Sequence, residues 1–240
     1  MFLKQTAQVI DLRDLAKLTI DEVVTTFQPR WENILIMAIY PGKQTLIITT
    51  SGDSLLLKQP LKELLATFAR ENVIYQHRMQ TLYHRVGCNT RGYIAGHQRL
   101  VPACGVGNSR VAYYMVHRLD HAAALPQDGG VVLVMKGEQQ TFHILIDVCH
   151  RRFRTILDAS DEVAEIQLAM EEYHQHQYGK IKTTERTYDT DYCVVQKRKR
   201  LCHEVYQEEV LTLVENAMKE QYSEVDYNLL NQIKRQLNGY

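Results

Sequence analysis

VVLVMKGEQQTFHILI, residues 131–146, carries the clearest β-signal in the chain. Two β-prone runs, Val131 to Met135 and Thr141 to Ile146, flank Lys136, Gly137 and Glu138, which predicts a hairpin. Ile144 and Ile146 fall on one face of its second strand. Asp147 can cap a helix that follows, whose surface would carry Arg151, Arg152 and Arg154.

Upstream the same logic applies. Ile34 to Tyr40, ILIMAIY, is a continuous apolar run ended by Pro41 and Gly42, and its length and isoleucine content predict a buried strand. QTLIITT, the turn Ser51-Gly52-Asp53 and SLLLKQ read as a hairpin. Pro60 suits a first helical turn, and Leu61, Leu64, Leu65 and Phe68 recur at helical spacing after it. Residues 8–27, with Ile10, Leu12, Leu15, Leu18 and Val23, read as a short amphipathic helix or as a strand followed by one. The segment with Tyr75, Tyr83, Gly87, Gly92, Tyr93, Gly96, Gly105 and Gly107 reads as short strands and loops. VAYYMVHRL (111–119) reads as a strand, and Pro126 to Gly130 as a loop.

Downstream, a helix is expected from Asp158 or Ser160 to Tyr178, with acids in its first turn as the helix dipole favours and Gly179 as its stop. Residues 180–200 are polar and loop-like. Leu201, Val205, Leu211, Val214 and Met218 suggest one helix; Val225, Leu229, Ile233 and Leu237 suggest another. The expected fold class is α+β: a mainly antiparallel β-domain with helices packed on one side and a helical C-terminal region. The division is an N-terminal segment (1–30), a β-rich domain (31–157) and an acidic helical region (158–240).

At 240 residues and 45% hydrophobic, the chain can bury a real core. No run of about 18 apolar residues exists, which argues against a membrane-spanning helix. The N-terminal sequence lacks the long apolar stretch of a secretory signal, so the cytoplasm is the expected compartment. Cys88, Cys104, Cys149, Cys193 and Cys202 are odd in number and irregular in spacing, which suggests reduced thiols.

Net charge is zero, but the charge is sorted. Between Asn72 and Leu119 there is no Asp, Glu or Lys, yet there are Arg78, Arg85, Arg91, Arg99, Arg110 and Arg118, with His77, His84, His97 and His117 among them. Arg151, Arg152 and Arg154 follow. From Thr155 to Gly179 the sign flips, with Asp158, Asp161, Glu162, Glu165, Glu171 and Glu172 and no basic residue except histidine. Surfaces held by ion pairs mix their signs; this stretch does not. The arginine fork pairs with a phosphate or a guanine edge and is drawn into narrow A·T-rich minor grooves.

Chemistry-bearing motifs are sparse. Gly105-Val106-Gly107-Asn108-Ser109 lacks the Gly-Lys-Ser/Thr of a phosphate loop and reads as a turn between strands. Cys193, Cys202, His203, His174 and His176 match no zinc spacing, so no metal or cofactor is expected. Cys149-His150 and Cys104 with His117 are the visible nucleophile–base pairs, each without a third orienting group, and no catalytic residue is assigned.

The segment from about Ile34 to Leu157 resembles the ComK family of competence transcription factors. The resemblance rests on the order TLIITTSGDSLLLKQPLKELL, then RMQTLYHRVGCNTRGYIAGHQRLVP, then YYMVHRLD, then VVLVMKGEQQTFHILI and a basic helix. It implies an activator of DNA-uptake genes that binds double-stranded A·T-rich DNA largely through the minor groove, as a homo-oligomer. Arg78, Arg85, Arg91, Arg99, Arg110, Arg118, Arg151, Arg152 and Arg154 would supply the DNA face. The family's Phe-Pro-Thr segment and central Trp-Ile pair are replaced here by VPACGVGNSRVAYYMV. The acidic C-terminal helices would dimerise, contact a protease adaptor or RNA polymerase, or simply pack. A LytTR-like DNA-binding regulator and a protein–protein adaptor without DNA are the alternatives.

Overall fold

The computed structural model describes residues 8–108, 110–126, 129–178, 200, 204, 206–207, 210–219, 221 and 225–238, with backbone only at Ala16, residues 174–178 and Asn238. The chain forms two compact units, Met1–Tyr173 and His174–Tyr240.

The first unit holds two mostly antiparallel sheets. Its strands are β1 (Gln8–Asp11), β2 (Glu22–Val24), β3 (Ile34–Tyr40), β4 (Gln44–Thr49), β5 (Ser54–Leu57), β6 (Tyr93–Ala95), β7 (Gln98–Pro102), β8 (Ala112–Met115), β9 (Leu119–Ala124), β10 (Val131–Lys136) and β11 (Thr141–Ile146). Seven make a sheet of order β2-β5-β4-β3-β8-β7-β6; four make a sheet of order β1-β11-β10-β9. Among the described residues only the short N-terminal strands pair in parallel, β1 on β11 and β2 on β5. The fold class is α+β.

The predicted hairpins form where expected, β10 with β11 and β4 with β5. β3 sits at the middle of the larger sheet, and Ile34 to Met37 are fully buried. A strand covered on both faces must be apolar at consecutive positions, which is why ILIMAIY does not alternate. β11 has one covered face, so Phe142, Ile144 and Ile146 are buried and the residues between them are half-buried.

Helices lie on both faces of the larger sheet rather than on one. Successive residues of β8 point to opposite faces. Tyr114 stacks on Phe153 of α3 (His150–Tyr178), with ring centres 5.3 Å apart. Tyr113 faces Tyr93, 6.2 Å away, and Tyr93 lies 6.1 Å from Phe68 of α1 (Leu61–Glu71). Trp31 packs edge-on against the same Phe68 at 4.6 Å. α1 buries Leu61, Leu64, Leu65 and Phe68 as its spacing requires, and Pro60 stands just before the helix rather than inside it.

Further expectations change. Residues 8–27 form β1, a 3-10 turn at Leu15–Lys17 and β2, with no α-helix. α2 (Gln76–Arg85) occupies a stretch expected to be strands and loops; Met79, Leu82 and Tyr83 form its buried stripe. The expected strand over 111–119 is broken by a 3-10 turn at Val116–Arg118, which passes the chain from β8 in one sheet to β9 in the other. The basic and acidic helical segments are one helix, α3, unbroken across residues 157 and 158. Its inner stripe is Phe153, Ile156, Leu157, Ser160, Val163 and Ala164, the spacing that keeps one helical face inward.

In the second unit, residues 210–219 are helical, and α4 runs from Tyr227 to Asn238, with Val225 just before it. Met218 and Leu237 are buried. Asp226 caps α4, accepting from the amides of Asn228 and Leu229 at 2.9 and 3.2 Å. Gly179, the polar stretch 180–199, Leu201 and Val205 lie outside the described residues. No helix among the described residues is long and apolar enough to cross a membrane.

Candidate nucleic-acid interface

The nine arginines divide into two groups. Arg99, Arg110, Arg118 and Arg154 are engaged within the protein. Arg99 lies on the α3 side of the sheet, because it is two residues from Val101, which pairs with Tyr114. Its guanidinium forms an ion pair with Asp161 of α3. Its Nε is buried without a hydrogen-bond partner, as are the hydroxyls of Tyr83 and Tyr114. Burial pulls the Arg99 pKa below its ordinary value, an effect opposed by these two tyrosines. Burial in turn raises the tyrosines well above the usual phenol range. Arg99 is therefore a half-buried residue with an acid delivered to it by a later helix.

Arg110 pairs with Asp147, so Asp147 holds an arginine instead of capping α3. Arg154 pairs with Asp158 one turn along α3, at 3.6 Å. Arg118 reaches the Glu32 carbonyl at 3.4 Å, and its Nε is buried without a partner. Beside it, His117 Nε2 meets the Trp31 carbonyl at 3.2 Å.

Arg78, Arg85, Arg91, Arg151 and Arg152 are exposed. None of the five forms an ion pair among the described residues. Arg78 and Arg85 are seven residues apart on α2, two turns along one helical face. With Met79, Leu82 and Tyr83 turned inward, the outward residues are Gln76, His77, Arg78, Gln80, Thr81, His84 and Arg85. No acid interrupts them. Burial and the neighbouring Arg78 hold the His77 pKa below its ordinary value, which disfavours the charged ring. Arg91 follows in the loop before β6, near enough to Tyr93 to oppose the burial that raises that phenol to about 12.

Arg151 and Arg152 occupy the first turn of α3. Cys149 precedes the helix: its carbonyl accepts from Phe153 N at 2.9 Å, and the nearby backbone of Arg152 and Arg151 lowers its thiol pKa. The Gly105–Asn108 turn connects β7 to β8 as expected, closed by Asn108 N donating to Gly105 O at 2.9 Å.

The sequence alone did not show α2 as a single basic face, although Tyr75, Met79, Leu82 and Val86 recur at helical spacing. Among the described residues no three His, Cys, Asp or Glu side chains gather as metal ligands. No family model, no curated protein and no solved structure matches the chain.

Proposed function

We propose that this chain is a DNA-binding transcriptional activator that holds double-stranded DNA through exposed, unpaired arginines on α2, on the loop before β6 and on the first turn of α3. The observation that carries the reading is the outward face of α2, with Arg78, Arg85, His77 and His84 and no carboxylate. A polyanion is held by cations that no internal acid already neutralises. Arg78, Arg85, Arg91, Arg151 and Arg152 meet that condition. Arg99, Arg110, Arg118 and Arg154, which already have partners within the protein, stand outside the contact set on this reading.

The preference for A·T-rich sites and the minor groove rests on arginine chemistry and on the ComK-like order of segments. The competence role, the homo-oligomer and a contact with a protease adaptor or RNA polymerase rest on that order alone. A mobility-shift titration on A·T-rich and G·C-rich duplexes tests the reading; binding that prefers A·T and weakens with salt supports it, and no retardation of either duplex by folded protein rejects it.

The second reading is a protein–protein adaptor. It is favoured by the internal ion pairs Arg99–Asp161 and Arg110–Asp147, which take up part of the basic stretch. It predicts no DNA binding at physiological salt.

A further inference from the structure

We propose that Cys149 and Cys104 are a peroxide-oxidisable thiol pair, with Cys149 the attacking thiol and Cys104 the resolving one. Both line one cleft of about 450 Å³, together with Gly105, Gly107, Asp147 and Arg152. They arrive from distant parts of the chain. Cys104 follows β7, and Cys149 caps α3.

Their environments differ as such a pair requires. Cys149 is exposed and stands just before the first turn of α3, where the backbone and charges of Arg152 and Arg151 hold its thiol below the ordinary range and so favour a thiolate. Cys104 is buried, and burial keeps it a thiol. The Arg152 guanidinium acts electrostatically on both sulfurs. It lies directly over Gly105, next to Cys104, where a Cβ would stand 2.7 Å from Nη2. Asp147, the acid lining the cleft, is engaged by Arg110.

The chemistry closes with a hydroperoxide as oxidant. The Cys149 thiolate attacks the O–O bond, forming S–O; the leaving oxygen takes a proton, and Cys149 becomes a sulfenic acid. Cys104 then loses its proton and attacks that sulfur. The S–S bond forms, S–O breaks, and hydroxide leaves with the proton as water. Two thiols are oxidised and one peroxide is reduced. The disulfide would staple the β7–β8 turn to the start of α3.

The test uses the full chain and peptide-level mapping of every cysteine. With limiting iodoacetamide, Cys149 should be alkylated several-fold faster than Cys88. With hydrogen peroxide, a Cys104–Cys149 linked peptide should appear and be reversed by dithiothreitol. In Cys104→Ser, or in Cys104→Ala if the serine is not tolerated, the link should be lost and a dimedone-trapped sulfenic acid should accumulate on Cys149. Cys149→Ser puts a residue favoured at a helix N-cap in that position, so it should fold and show neither product. Cys149 no faster than Cys88, or a link from Cys149 to another cysteine, or no oxidised product at all, would overturn the proposal.

Discussion

Thr50 and Glu138 are tied to each other twice, the Glu138 amide donating to the Thr50 carbonyl at 2.9 Å and the Thr50 hydroxyl to the Glu138 carboxylate at 2.7 Å. Thr50 follows β4 and Glu138 lies in the β10–β11 turn, so the pair joins the two sheets. Thr50 is almost fully buried. Glu138→Ala would strand its hydroxyl and should cost about 1–3 kcal/mol. Urea unfolding measures this, and adding Thr50→Val should recover part of the loss. Equal stability of Glu138→Ala and the parent would contradict the role.

Gly52 lies beside that junction, with φ +102° and space for a Cβ only 2.6 Å from the Phe142 ring. Gly52→Ala therefore meets both backbone strain and a clash in the core. Destabilisation by about 1–3 kcal/mol is expected, with partial relief from Phe142→Leu. Thermal melting of the single and double variants checks both.

Asp161→Asn removes the charge that faces Arg99. The Arg99 side chain is 19% exposed and Asp161 48%, so screening reduces the loss to on the order of 1–2 kcal/mol. Affinity for DNA at fixed salt should stay unchanged once the variant is folded. A stable Asp161→Asn protein with strengthened DNA binding would return Arg99 to the interface.

His117 and His77 both titrate below their ordinary 6.5, chiefly because burial disfavours the charged ring. The unfolded chain then takes up protons before the folded one does. Their stabilising contribution is complete above 6.5 and is lost as pH falls from 6.5 toward the folded values. Melting temperature should fall on acidification in that window, and less steeply in His117→Gln. Asp11 and Asp120 are held below 3.8 by Arg13 and by Lys136, respectively, so their contribution is lost at lower pH still.

The hairpins, β3 and α1 were legible because a covered strand or helix stripe leaves a local apolar period. α2 was hidden because only Met79, Leu82 and Tyr83 mark its inner face, amid polar residues that fit loops equally well. The break between β8 and β9 has no local sign, since it depends on two sheets that must each receive a strand. Arginine content was legible, but arginine placement was not. Arg99 reads like Arg91 until Asp161 arrives from α3 and the sheet register turns it inward.

The central claim is that the exposed, unpaired arginines hold DNA and the paired ones do not. The most direct measurement is the salt dependence of affinity for an A·T-rich duplex, by fluorescence anisotropy. If all five free arginines contact phosphates, log K should fall against log salt with a slope of roughly −4.5. Arg78→Ala with Arg85→Ala should make it shallower by about 2, whereas Arg110→Ala with Arg154→Ala should leave it unchanged. A slope near zero, or equal changes in the two double variants, would contradict the account.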